Sequence, residues 1–274
     1  MILHKLPPFQ NVGASQTAVM PVVHAGQTVV GILFKLGGGA FTHTHVSNIR
    51  CRLDGKQFVD ITGLHLDSIC DYETYGADAA FLYLPFGDLQ AMTQRGQMMG
   101  AIDTSVAGIK PMEMEVDIGA ATTPTLEAWV VLAPPKAIDD PNKFTVRAYL
   151  KATHGISAAG EFSQPIPMGS QRGALIHRLY AFSSVVTKLQ VAKDGLWLQQ
   201  EGEAAVLDYM QALVNRANQS GLITFDPTFT DAQTDAIATQ RRDGNPAQFD
   251  FKFTTSGAGT VITYTSLLST IDKI

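Results

Sequence analysis

Charge is scarce in this sequence. Only 16 % of its 274 residues are Asp, Glu, Lys or Arg, against 45 % hydrophobic residues, whereas an ordinary soluble domain carries about 25 % charge. A surface built this way must rely on Thr, Ser, Gln, Asn and Gly, which suits contact with neighbouring subunits. The net charge of −5 and the absence of a basic stripe argue against a dedicated nucleic-acid binder, which needs clustered cations to displace counterions from phosphates. Cysteine is nearly missing. Cys51 and Cys70 are expected to be buried, reduced thiols, one in a strand and one in a helix. No run approaches the roughly 20 apolar residues of a membrane span, and no signal-peptide pattern opens the chain, so a soluble protein made in a cytoplasm is expected.

Catalytic signatures are lacking as well. There is no Gly-x-Ser-x-Gly elbow, Gly-x-Gly-x-x-Gly loop, P-loop or Cys-x-x-Cys pair. Paired carboxylates leave no spacing signature and stay open as a catalytic device. No catalytic, cofactor-binding or metal-ligating residue is assigned.

What the chain does contain is a repeat. Val46 to Leu53 runs into Asp54-Gly55 and Lys56-Gln57-Phe58-Val59. Half a chain later Val185 to Lys193 runs into Asp194-Gly195 and Leu196-Trp197-Leu198. Asp-Gly between two β-rich runs marks a tight hairpin, because the turn needs positive φ, which Gly adopts freely. After each hairpin comes a stretch with helical spacing and an Asp-Tyr pair, Asp71-Tyr72 and Asp208-Tyr209. Then come an apolar run meeting a proline (Pro85, Pro227), an alternating strand (Met112 to Ile118, Phe249 to Thr254) and a closing β-rich run. Unlike landmarks in one order, twice, describe a duplicated domain.

Alternation defines the fold class. Phe249, Phe251 and Phe253 point one way while Asp250 and Lys252 point the other, and Met112, Met114, Val116 and Ile118 do the same against Glu113, Glu115 and Asp117. Such sheets have one buried face. Eight strands are predicted per module: Thr17 to Val23, Thr28 to Leu36, Val46 to Leu53, Lys56 to Ile61, Ala79 to Leu84, Gln97 to Ile102, Met112 to Ile118 and Leu126 to Leu132. The second set is Phe144 to Thr153, Ala174 to Phe182, Val185 to Val191, Leu196 to Gln199, Leu222 to Phe225, Ala236 to Thr239, Gln248 to Thr254 and Thr260 to Ser266. Short helices are predicted over Gly63 to Tyr75 and Glu203 to Asn218, the second with Val206, Leu207, Met210, Leu213 and Val214 on one face. The expected architecture is all-β, two tandem eight-stranded jelly rolls (a double jelly roll), each with a short helix. An immunoglobulin-like sandwich is the second choice. Ala133-Pro134-Pro135 and Asp139-Asp140-Pro141-Asn142 interrupt the pattern. Residues 1–138 are therefore read as a first jelly roll with an extended N-terminal arm around Pro7-Pro8, and residues 139–274 as the second.

His43-Thr44-His45 is the one local metal-like motif. Alternate residues of a strand share a face, and with Gly37-Gly38-Gly39 before it the segment resembles the metal motif of cupins. The carboxylate that motif needs is replaced by Ile49 and Arg50, and Arg172 stands where a second motif would place a histidine. His4, His24, His65, His154 and His177 are isolated. Asp139, Asp140 and Asn142 offer oxygens to Ca²⁺, well short of the usual six to eight ligands. No cofactor is expected, a structural Ca²⁺ being the one candidate.

The Pro-containing start, Gly26-Gln27-Thr28 leading into an apolar strand and the hairpin Asn48-Ile49-Arg50-Cys51-Arg52-Leu53-Asp54-Gly55 resemble the major capsid proteins of corticoviruses, tailless icosahedral bacteriophages with a membrane inside the shell. The resemblance covers nearly the whole chain in organisation and the first sixty or so residues in motif. It implies a structural role in a virion and not an enzyme. It also implies a homotrimer whose six jelly rolls give a pseudo-hexameric capsomer, an architecture shared with adenovirus hexon. Neighbouring capsomers, other virion proteins and, through the N-terminal arm, the internal membrane are the implied partners, with no direct nucleic-acid contact and synthesis in the host cytoplasm. Two other readings stay open. A cupin-like jelly-roll metalloenzyme would use His43 and His45, and a carbohydrate- or receptor-binding β-sandwich would present an aromatic platform from Trp129 or Trp197.

Overall fold

The structure, a computed structural model, describes residues 1–22, 26–76, 78–105, 112–137, 139–140, 143–171 and 173–274. His24, Pro141, Asn142 and Arg172 lie outside the described residues, as do Val23 at the end of the first predicted strand and Ile138 at the expected module boundary. The chain divides into two compact units. The first is Met1–Ala148 with Ser269–Asp272, and the second is Tyr149–Leu268 with Lys273–Ile274.

Strands of the first unit are β1 (Ile2–Lys5), β2 (Thr17–Val22), β3 (Thr28–Gly37), β4 (Val46–Leu53) and β5 (Lys56–Ile61). Helix α1 (Gly63–Tyr72) follows, then β6 (Phe81–Pro85), α2 (Gln94–Gln97), β7 (Ile102–Asp103), β8 (Met112–Ile118) and β9 (Thr125–Ala133). Two sheets result, ordered β1-β9-β3-β6 and β5-β4-β8-β2, with β7 as an extra pairing on β3. Met114 and Val116 of β8 and Ile32 and Phe34 of β3 are all buried, as the alternation requires.

Next along the chain are β10 (Thr145–Ile156), β11 (Gly160–Ser163), β12 (Leu175–Phe182), β13 (Val186–Lys193), β14 (Leu196–Glu203), α3 (Ala204–Ala212), β15 (Leu222–Phe225), β16 (Ile237–Ala238), β17 (Phe249–Thr255) and β18 (Gly259–Thr270). The sheet orders are β15-β12-β18-β10 and β11-β17-β13-β14, with β16 an extra pairing on β12. Adding nine to each strand number of the first unit reproduces this wiring, including the helix after the fifth strand and the short extra strand. Leu189, Val191, Leu179, Ile223, Phe251 and Phe253 form its buried core. The two Asp-Gly turns are built alike. Asp54 and Gly55 have φ of 54° and 77°, Asp194 and Gly195 of 50° and 82°, the paired positive φ of a type I′ hairpin.

Three expectations need correction. The N-terminal arm is not a free extension: β1 pairs antiparallel with β9, from Ile2 opposite Leu132 to Lys5 opposite Trp129, and is the first strand of the jelly roll. Residues Gln97 to Ile102 do not form a full strand, because α2 and a turn occupy them and only the two-residue β7 remains. In the second unit Gly160–Ser163 supplies the strand that was missed. In each module the short extra strand, β7 or β16, stands in the predicted set where β1 or β11 belongs. The third correction concerns α3: it ends at Ala212, and Val206, Met210 and Leu213 are exposed. Gln211 turns inward instead, its side-chain amide donating to Thr224 Oγ1. A hydrogen bond to a buried hydroxyl, with the main chain of Arg216 closing on Gln211 O at 2.9 Å, sets the rotation of this helix against its apolar periodicity.

Candidate functional site

His43 and His45 do not share a strand face. They sit in a single 3-10 turn, His43–His45. His45 Nδ1 lies 3.1 Å from Thr42 Oγ1, closing the turn, and His43 Nε2 is 3.8 Å from Asp67 Oδ2. Burial pushes the Asp67 carboxyl up, opposed by His43. Among the described residues no three His, Cys, Asp or Glu side chains converge as a metal ion would need. His154 faces Thr263 at 3.4 Å and His177 faces Ser266 at 3.3 Å, each within a sheet of the second unit. Asp140 meets Arg95 at 3.5 Å.

The outer face of sheet β5-β4-β8-β2 carries an ion-pair array. Arg50 and Arg52 of β4 stand opposite Glu115 and Glu113 of β8, and cross-strand neighbours of opposite charge attract. Arg50 is bidentate on Asp117 at 2.6 and 2.8 Å and also reaches Glu115 at 3.0 Å. Arg52 bonds the other oxygen of Glu115. Hydrogen bonding by Arg52 outweighs desolvation and holds Glu115 below its ordinary value. Burial pushes Asp117 up, but Arg50 and Thr17 together bring it below the usual range.

Buried ion pairs brace the modules. Arg147 forks onto both oxygens of Glu73, just after α1, with both side chains 1 % exposed. In the second unit Arg178 Nε bonds Asp226 at 2.9 Å, Arg216 lies 3.7 Å from the same carboxylate, and Arg216 reaches Asp231 at 2.5 Å. Thr228 donates from its main chain and hydroxyl to Asp226 at 3.0 and 2.9 Å. Sequence reasoning missed these groups. The available signal was Arg178 inside the strongly apolar run Leu175 to Phe182, a charge that must be paired to be tolerated there.

Trp129 in β9 lies under Lys5 Nζ at 5.2 Å, and Trp197 in β14 under Lys252 Nζ at 5.8 Å. Cys51 and Cys70 are buried and unbridged, and Cys70 Sγ donates to Tyr83 O at 2.9 Å.

Two jelly rolls of like wiring in one chain define the class of fold, a double jelly roll. Residues 3–133 match the family model of the viral coat protein P2 N-terminal domain, and residues 146–271 that of its C-terminal domain. The chain belongs to the viral coat protein P2 family. Its fold is similar to the major capsid protein P2 of bacteriophage PM2, at 17 % identity and a TM-score of 0.84, covering 98 % of this chain and 97 % of that one. The STIV MCP is similar at 11 % identity and a TM-score of 0.70, over 98 % and 96 %. The Faustovirus major capsid protein follows the same path at 8 % and 0.56, over 98 % and 90 %. No curated protein matches the chain. The protein is a viral coat protein of this family.

Proposed function

We propose that three copies of this chain form one capsomer with a pseudo-hexameric outline, and that such capsomers tile the facets of an icosahedral shell enclosing a membrane. The observation that carries this is the repeated wiring. A threefold assembly of chains with two like modules presents six like units, and so meets six neighbours as a hexagonal tile does. The low charge of the chain fits sides covered by other subunits. The role is structural, and the reading includes no catalytic step and no cofactor. The chain is made in the host cytoplasm and ends in the virion. Other virion proteins are its further neighbours.

The N-terminal strand is the candidate for contact beyond the capsomer. Met1, Ile2 and Leu3 are exposed while Leu6 and Phe9 are buried. Its tip reaches an adjacent subunit or the membrane surface, and its base belongs to the module. Removing residues 1–9 therefore strips a sheet edge as well as a contact.

Solution mass with electron microscopy tests the proposal. A particle of three times 29.5 kDa with a hexagonal outline is the expected result, and a monomer at all concentrations would overturn it.

A further inference from the structure

One buried carboxylate gathers the segment between β9 and β10. Asp103, the last residue of β7, has a side chain with no exposed surface and stands opposite Thr28 of β3. Its Oδ1 accepts from the main chain and the hydroxyl of Ser105 at 2.9 and 2.6 Å. Its Oδ2 accepts from Lys136 N at 3.1 Å and lies 3.2 Å from Lys143 Nζ. That ammonium also donates to Lys136 O at 3.0 Å, so two lysines of one segment close on a single carboxylate. Pro134 and Pro135 have no N–H to continue the β9 ladder, and the next one along, that of Lys136, goes to Asp103. A further tie joins Asp140 to Arg95 of α2 at 3.5 Å, but its guanidinium is exposed and such a pair contributes little. All these residues belong to the first unit.

Lys136 completes the cluster. It is 7 % exposed, and the charges facing it are Asp103 from β7 with Asp140 and Lys143 from its own segment, Arg95 standing beyond Asp140. Burial of an ammonium favours the neutral amine. The two carboxylates oppose this and are outweighed, so the group comes down to about 8. Asp103 keeps its charge: burial pushes it up, and Ser105 and Lys143 together bring it below the ordinary value.

We propose that Asp103, Lys136 and Lys143 form a pH-sensitive clasp on this segment, one that opens locally while the module stays folded and tightens as the solution becomes alkaline. Closing the clasp takes the Lys136 ammonium out of water and so releases a proton, which a rise in pH favours. With Lys136 near 8 when closed and about 10.4 when open, the open form becomes about tenfold rarer between pH 7 and pH 9. Acid acts at the other end of the clasp, because a protonated Asp103 no longer attracts Lys143.

Trypsin reads the clasp. Lys143 must leave Asp103 to enter the protease, and cutting at a transiently open site follows the open population. The initial rate of the cut after Lys143 is followed by mass spectrometry on the whole protein at pH 7 and pH 9, each divided by the rate on a free peptide of residues 139–146. The cut after Lys35, in the middle of β3 between β6 and β9, measures unfolding of the whole module. Wild type is expected to be cut after Lys143 about tenfold more slowly at pH 9 than at pH 7, and faster than after Lys35 at both. Lys136→Met should be cut more slowly than wild type at pH 7 and lose the pH dependence. Asp103→Asn should be cut about tenfold faster than wild type at both pH values. Should it not fold, Ser105→Ala is read the same way, for a gain of about threefold. Equal wild-type rates at the two pH values, or a pH dependence that survives in Lys136→Met, overturn the alkaline tightening. Cuts after Lys143 and Lys35 that keep step overturn the local opening, and an Asp103 or Ser105 variant cut no faster than wild type overturns the clasp.

Discussion

Arg147 and Glu73 meet fork to fork in the interior of the first module, each with its side chain 1 % exposed. A buried pair of this kind contributes little net stability against an apolar replacement, yet removing one partner strands a charge.

Glu73→Ala is therefore expected to destabilise the protein by about 3–5 kcal/mol, and Glu73→Leu with Arg147→Met to recover most of that loss. Urea denaturation of the single and double variants measures both values. Equal losses in the two would show that the site tolerates no apolar substitute.

Acid should loosen the β4–β8 face. Asp117 and Glu115 have folded pKa values below their unfolded ones, so their contribution is complete above the unfolded values of about 4 and is lost as pH falls through the lower folded values. Thermal melts from pH 6 to pH 2 should show Asp117→Asn less stable than wild type at pH 6, with the gap closing toward pH 2.

Lys136 works in the opposite sense. Its side chain is buried and its pKa is brought down to about 8 by burial, against the pull of Asp140 and Asp103. The unfolded chain keeps its proton up to about 10.4, so this lysine costs stability below pH 8, and the cost shrinks between pH 8 and 10. Lys136→Met should raise the melting temperature at pH 7, and its advantage should narrow by pH 10.

Gly31 and Tyr83 are fitted to each other. A Cβ on Gly31 would stand 2.3 Å from Tyr83 Oη, across the β3–β6 pair where Gly31 faces Pro85. Gly31→Ala should cost about 1–3 kcal/mol through overpacking, and adding Tyr83→Leu should return part of it. Denaturant midpoints of the two variants decide the matter.

Much of the fold was legible because period-2 alternation and Asp-Gly turns are local signals. The alternating strands β8 and β17 and both hairpins lie where the residues place them. The first strand was not legible: Ile2-Leu3-His4-Lys5 lacks alternation and precedes Pro7-Pro8, and only its pairing with β9 makes it a strand. Strand β11 failed for the same reason, since Gly160-Glu161-Phe162-Ser163 is held by β17. Its local preference says little. Helix α3 misled in another way. Its periodicity was read correctly, but periodicity states which residues share a face and not which face is covered. The ion pairs that brace the modules join residues far apart in sequence, so no spacing announces them.

The repeated wiring bears on the arithmetic of assembly. A shell made from two separate gene products would have to match their supply and reject rings of the wrong mixture. Joined end to end, the two modules leave the ribosome in a one-to-one ratio. In the proposed capsomer, a substitution in one of them alters alternate places of a six-part ring, so the two kinds of seam can evolve apart.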